Sequence, residues 1–191
     1  DLSILLQQLE RNDVVIIATP TLSVKAVLQQ LREVVERGVI VTDVASVKGS
    51  VAEDAIEVFG AVPAIFIPGH PIAGSEKSGI DAVNPELFFR HEVILTPLEN
   101  SAPPAVNIVT QLWQAVGAAV SEMTVAEHDG VLALTSHLPH MLAYTLVDTL
   151  AQRSQNNSIF RYAAGGFKDF TRIAGSDPTM WHDIALANRD A

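Results

Sequence analysis

Three separated groups of residues carry side chains able to do acid–base or anion chemistry. The first is Thr42-Asp-Val-Ala-Ser-Val-Lys48, with Ser46, together with Gly69-His-Pro71, with His70. Both runs follow strand-like stretches, as does Thr19-Pro20, and ligands of open α/β sheets sit beyond the carboxyl ends of the strands. An imidazole of pKa about 6.5 takes up a proton at neutral pH, and a nearby serine can orient a substrate hydroxyl. The second group, Ser136-His-Leu-Pro-His140, spaces His137 and His140 so that both face one way at a helix start. No suitably spaced carboxylate accompanies them as a metal ligand. The third, Gly165-Gly-Phe-Lys-Asp-Phe-Thr-Arg-Ile-Ala174, holds Arg172, whose planar guanidinium suits a carboxylate. Structural roles compete with each of these readings. Asp43 and Ser46 would also cap a helix, His70 would also be a loop histidine fixed by Gly69 and Pro71, His137 would fill a core, and Arg172 would pair with Asp169. Taken together, the groups point to proton removal from a hydroxyl of a small carboxylate beside a nucleotide fold, that is, alcohol oxidation with hydride transfer.

The elements that must position these residues are legible from hydrophobic pattern. Asp13–Pro20, Val39–Asp43 and Ala64–Ile67 read as buried strands of a parallel sheet. Between them, 21–37 and 46–58 have helical spacing, with Gly38 closing the first. A hairpin-like return leads to a strand over 92–96, a helix over 103–117 and a strand over 118–124. From residue 125 onward only helices are expected: 126–152, 156–170 with Gly165-Gly166 as a local break, and one opened by Ser176-Asp177-Pro178. Alternating strand and helix followed by helices alone predicts a partial, doubly wound Rossmann-like domain over 1–124 and a partial helical domain over 125–191.

Composition narrows the function classes. The 191 residues are 48% hydrophobic and carry a net charge of −10, which disfavours nucleic acid as a partner. Arg161, Lys168 and Arg172 nevertheless fall within twelve positions, a basic spot suited to a small anion. No apolar run approaches the ~20 residues of a spanning helix, so no membrane role is expected. The absence of Cys removes disulfides, thiolate nucleophiles and Cys-ligated metals, and it fits a cytoplasmic setting. A start at Asp1 and a stop just after a helical pattern read as a piece cut from a longer protein.

Ala18-Thr-Pro20, Thr42–Lys48, Gly69-His-Pro-Ile-Ala-Gly-Ser-Glu76, His128-Asp129, Ser136–His140 and Phe167–Ala174, in this order, resemble the prephenate dehydrogenase family, which includes arogenate and cyclohexadienyl dehydrogenases. The resemblance implies an oxidoreductase of tyrosine (aromatic amino acid) biosynthesis. Its reaction would be the NAD- or NADP-dependent oxidative decarboxylation of prephenate to 4-hydroxyphenylpyruvate. On the matching positions, His70 would accept the ring hydroxyl's proton, and Ser46 would bind that hydroxyl near the nicotinamide. Arg172 would bind a substrate carboxylate and His140 the substrate's side chain. Lys168, Trp181 and Ser75 would lie around the pocket, with Glu76 and Asp169 as a gating pair. Thr19, Pro20, Asp43 and Ser46 would face the cofactor. The family further implies a homodimer through the helical domain.

One departure is plain: the glycine-rich phosphate-binding turn is absent from this sequence. The first three strands of the dinucleotide fold are expected to be missing, so the chain as given is expected to bind cofactor poorly or not at all. NAD and NADP are not separable from the residues present. An edge left open by a partial sheet would call for compensating association. Other readings remain: an arogenate-preferring or dual-specificity enzyme, another β-hydroxyacid-type dehydrogenase, or a non-catalytic dimerising piece.

Overall fold

The computed structural model describes residues 2–74, 83–153 and 161–191. In its first part, α1 (Leu2–Gln8) leads to β1 (Val14–Ile17), a 3-10 turn (Thr21–Ser23), α2 (Val24–Gln30), α3 (Arg32–Glu36), β2 (Ile40–Asp43) and α4 (Gly49–Phe59). Then come β3 (Phe66–Ile67), β4 (Gly69–Pro71), β5 (Glu92–Leu95), α5 (Pro103–Ala115) and β6 (Ala119–Glu122). The strands β1, β2 and β3 pair in parallel in that order, with Ile17 opposite Asp43 and Thr42 opposite Ile67. The chain turns at Pro68 into β4, which pairs antiparallel with β5, and β5 pairs parallel with β6. This is the expected α/β arrangement with a mainly parallel sheet.

Alternation along the strands divides the core into two layers. Val41 and Ile17 face α2 and α4, in a cluster with Leu28, Val51, Ala55 and Phe66. Ile40 and Ile67 face α5, packing with Val93, Leu95, Val109 and Trp113. Strands covered on both sides are apolar throughout, which is why they read as continuous runs. The first strand lies at the edge of its sheet, with Ile16 40% exposed.

Two local expectations are corrected. The helix expected over 21–37 is three pieces, because Leu31 takes φ −89°, ψ 2° and ends α2 before α3 begins. The offset seats Leu28, Leu31, Val34 and Val35 together in the core. The break expected at Gly165-Gly166 falls just before the pair, over 162–164. Ala164 is extended (φ −81°, ψ 177°), and the glycines open α8 (Gly165–Thr171). Gly60 (φ 86°) closes α4 in the left-handed conformation that an L side chain resists.

The helical part runs α6 (Val125–Leu132), a π-helical turn (Ala133–His137), α7 (Leu138–Arg153), α8, a 3-10 turn (Arg172–Gly175) and α9 (Pro178–Ala187). The π turn interrupts the helix expected over 126–152 at the Ser136–His140 motif, as such turns often do near functional residues. Asp177 caps α9 by accepting from the Thr179 and Met180 amides at 2.8 and 3.1 Å. The inner face of α9, Trp181 and Ile184, packs on Val47 in the loop after β2, joining the helical part to the sheet's carboxyl end.

Replacing Leu28, wholly buried, by Ala should cost ~2–5 kcal/mol of unfolding free energy. Leu22→Ala, 51% exposed, should stay within ~0.5 kcal/mol. Urea midpoints of the two variants check the assignment of core and surface.

Candidate active site

Each strand end contributes a polar group. At the end of β2, Asp43 is wholly buried; its Oδ2 accepts from the Ala45 amide at 2.9 Å and from the Lys48 ammonium, and its Oδ1 from the Gly69 amide at 3.3 Å. Lys48 Nζ also donates to the Gly69 carbonyl at 2.6 Å. A buried charge is tolerated only when paired and hydrogen-bonded, and here the pair ties the loop after β2 to the start of β4. Burial drives the Lys48 ammonium's pKa down, against the attraction of Asp43 and, more weakly, Asp129.

His70, in β4, is buried between these groups and the helical part. Its Nδ1 lies 2.9 Å from His128 Nε2, and His128 Nδ1 lies 2.7 Å from Asp129 Oδ1. The same carboxylate accepts from the Lys48 amide (2.8 Å) and the Gly49 amide (2.7 Å), at the amino end of α4. Burial alone would raise the Asp129 carboxyl's pKa. Hydrogen bonds from His128 and the two amides outweigh it and hold the group below its ordinary value. An acceptor-only Asp129 fixes the proton on His128 Nδ1, so His128 Nε2 accepts the proton of His70 Nδ1. The free lone pair of His70 is therefore on Nε2. Burial, then the positive charge of Lys48 and of the neighbouring imidazoles, pushes His70 down to about 3, which keeps it neutral at neutral pH.

Ser46, His70, Ser136, His140, Arg172 and Trp181 line one cavity of about 350 Å³, closed by Ile72, Ile173 and Ile184. His140 stacks on Trp181 with ring centres 3.5 Å apart and an interplanar angle of 17°. His140 Nδ1 donates to the Ser136 carbonyl at 2.8 Å, which leaves Nε2 as an acceptor in the neutral ring. Burial, and then the Arg172 charge, lowers the His140 pKa against that hydrogen bond. A neutral base, a hydroxyl, an imidazole acceptor and a guanidinium thus converge on a space sized for one small acid.

The structure gathers four of the expected site residues, Ser46, His70, His140 and Arg172, with Trp181 as a wall. Lys168 and Asp169 are exposed on α8 and do not line the cavity. Ser75 and Glu76 lie outside the described residues. Asp43, expected at the cofactor, is instead sealed in the loop with both oxygens engaged, because its nearest cation is the equally buried Lys48. Thr19 is half-buried and Pro20 exposed, both just past β1; Thr19 Oγ1 is buried without a hydrogen-bond partner among the described residues. His137 is buried and its Nδ1 accepts from Asn188, so it serves the core rather than the cavity. Lys48, His128 and Asp129 were visible as motif residues without a role. The adjacent His128-Asp129 pair in α6 is the local signal for those two residues.

An α/β sheet with a crevice at its carboxyl end, met by a helical part that brings an arginine and a histidine, places the chain in the class of Rossmann-like nucleotide-binding folds followed by helices. The family model described as the prephenate dehydrogenase nucleotide-binding domain matches residues 3–122, and that of the prephenate dehydrogenase dimerization domain matches 124–191. The chain belongs to the prephenate dehydrogenase family. It is 38% identical over 181 residues to a cyclohexadienyl dehydrogenase of Zymomonas mobilis, covering 94% of this chain and 61% of that protein. It is 41% identical over 179 residues to a prephenate dehydrogenase of Bacillus subtilis, covering 92% and 48%. A crystal structure of prephenate dehydrogenase from Aquifex aeolicus, in complex with hydroxyphenyl propionate and NAD+, superposes with a TM-score of 0.87 at 36% identity, covering 100% of this chain and 65% of that one. The chain therefore spans between about half and two-thirds of the length of these relatives.

A histidine whose folded pKa is depressed stays neutral while its unfolded counterpart protonates, so the unfolded state binds more protons between about pH 6.5 and 3 and stability falls as pH falls through that window. His70→Asn should flatten the acid limb of unfolding free energy against pH, by at most ~1.4 kcal/mol per pH unit. Urea titrations at several pH values measure the difference. Identical slopes would mean that His70 is not held neutral by the fold.

Proposed function

We propose that this chain carries the catalytic centre of a prephenate dehydrogenase, which oxidises and decarboxylates prephenate to 4-hydroxyphenylpyruvate with NAD or NADP. The observation that carries the reading is the single cavity into which Ser46, His70, His140 and Arg172 converge. The substrate is a small dicarboxylate with a ring hydroxyl, and the cavity offers a hydroxyl and an imidazole for that hydroxyl and a guanidinium for a carboxylate.

In this reading Ser46 holds the ring hydroxyl against His70 Nε2, the lone pair left free by the bond to His128. Arg172 pairs with a carboxylate through its planar fork, and His140, protonated as this anion binds, donates Nε2–H to the keto or carboxylate oxygens of the side chain. NAD or NADP supplies a hydride acceptor when bound. A residue of low pKa is adequate as base here, because the hydroxyl proton becomes strongly acidic as hydride leaves the same carbon. Oxidation places a ketone in conjugation with the ring carbon bearing the carboxylate, so loss of CO2 gives an aromatic ring. The protein then contributes placement and one proton acceptor. The orphaned Thr19 Oγ1 at the end of β1 fits a polar cofactor there.

The nearest alternative substrate is arogenate, with an ammonium where prephenate has a keto group. The Nε2 of neutral His140 would accept from that ammonium, so a dual-specificity cyclohexadienyl dehydrogenase, the activity named for the Zymomonas relative, is the second reading. A homodimer through the helical part accords with exposed Leu134, Leu138 and Leu142, spaced four apart along one helical stripe.

Rates of the full-length protein with prephenate and arogenate, each with NAD and NADP, decide between the readings. His70→Asn should lower kcat by ~10²–10⁴-fold with KM little changed. Arg172→Gln should mainly raise KM, by ~10-fold or more, through loss of a charge-assisted pair. Unchanged turnover in His70→Asn removes that residue from the base role.

A further inference from the structure

We propose that His128 and Asp129 form a proton relay behind His70, and that α4 holds this relay in register through the Lys48 and Gly49 amides. The proposal rests on the dehydrogenase reading for its chemical consequence, whereas the relay itself is read from geometry. Three donor–acceptor contacts run in line: His70 Nδ1 to His128 Nε2 at 2.9 Å, His128 Nδ1 to Asp129 Oδ1 at 2.7 Å, and the Lys48 amide to that same Oδ1 at 2.8 Å. His128 is wholly buried, and the Asp129 side chain nearly so. Neither lines the substrate cavity, so both act through His70 as positioning residues.

The proton bookkeeping closes. As the substrate O–H bond breaks, a His70 Nε2–H bond forms. His70 Nδ1–H then breaks and a His128 Nε2–H bond forms. His70 is left neutral in its other tautomer, and the positive charge rests on His128 against the Asp129 carboxylate. One proton leaves the substrate and one charge arrives beside a counter-ion, away from the Lys48 ammonium. The buried cation next to His70 makes a lasting charge on that ring costly, and the relay carries the charge off.

Gly49 provides a control that touches neither imidazole. A Cβ built at Gly49 would stand 2.8 Å from Asp129 Oδ2, closer than a carbon and a carboxylate oxygen can pack. Gly49→Ala must therefore displace the carboxylate. Asp129→Asn keeps the shape but has one acceptor oxygen where the carboxylate has two, Oδ1 for His128 and the Lys48 amide and Oδ2 for the Gly49 amide, and it removes the negative charge that would stabilise a protonated His128.

Two measurements test the relay. The first is ¹⁵N-histidine NMR of the chain without substrate. Wild type should show His70 and His128 each protonated on Nδ1, with a downfield His128 Nδ1 proton that moves upfield in Asp129→Asn and Gly49→Ala as the charge-assisted bond is weakened. The second is steady-state kinetics of the full-length protein. Asp129→Asn should lose ~10²–10⁴-fold in kcat, as for a triad whose histidine adopts the wrong tautomer, and Gly49→Ala ~10-fold or more, both with substrate KM within about twofold. A wild-type His70 protonated on Nε2 alone, or a kcat of Asp129→Asn within about threefold of wild type, overturns the relay. Correct tautomers in a protein that turns over neither prephenate nor arogenate would leave the relay standing and remove the functional reading.

Discussion

Asp129 is a carboxylate taken almost entirely out of water, and a group of that kind has to be matched by donors or it will not stay ionised. Its donors come from two parts of the molecule: the imidazole of His128 beside it on α6, and the amides of Lys48 and Gly49 that begin α4. A helix presents unsatisfied N–H groups at its amino end, and here a side chain from the helical part supplies what a local cap would otherwise supply. The contact therefore fixes the sheet's carboxyl end against the helical part to within a hydrogen bond. Without that register, Arg172 and His140 would not come to rest over Ser46 and His70.

A second constraint works from below. Lys48 and Asp43 are both inaccessible to water, and the ammonium also holds the Gly69 carbonyl. Such pairs seldom add much net stability, since desolvation consumes most of the attraction. What this one accomplishes is placement. It fixes the turn that delivers His70, and its cation discourages protonation of the neighbouring imidazole. The low proton affinity of His70 thus follows from the same residues that position it.

Much of this architecture can be read along the chain. Strand β2, buried at every position, leaves an unbroken apolar run in Val39-Ile-Val41, and Asp177-Pro178 announces a helix start because capping chemistry is local. His70, Ser46 and Arg172 stood out because their types and flanking glycines and prolines suit chemistry at loop ends. Other features were hidden for a physical reason. The break at Leu31 arises from packing of α2 and α3 against the sheet, and helical periodicity alone does not register it. Asp43 looked like a cofactor contact because a strand-end acid is a common ligand. Only its contacts with Ala45, Lys48 and Gly69 show that both of its oxygens are already engaged.

The residues by themselves determined the family, since its motifs follow in order along nearly the whole chain, and they determined the alternation that makes an α/β sheet. They did not determine which groups meet. His70 and His128 are separated by 58 positions and Asp129 and Gly49 by 80, and contacts across such spans depend on how helices dock. Tautomer, charge state and the direction of the free lone pair are set by those contacts. Such properties belong to the assembled environment of a side chain, so tertiary structure alone could decide them.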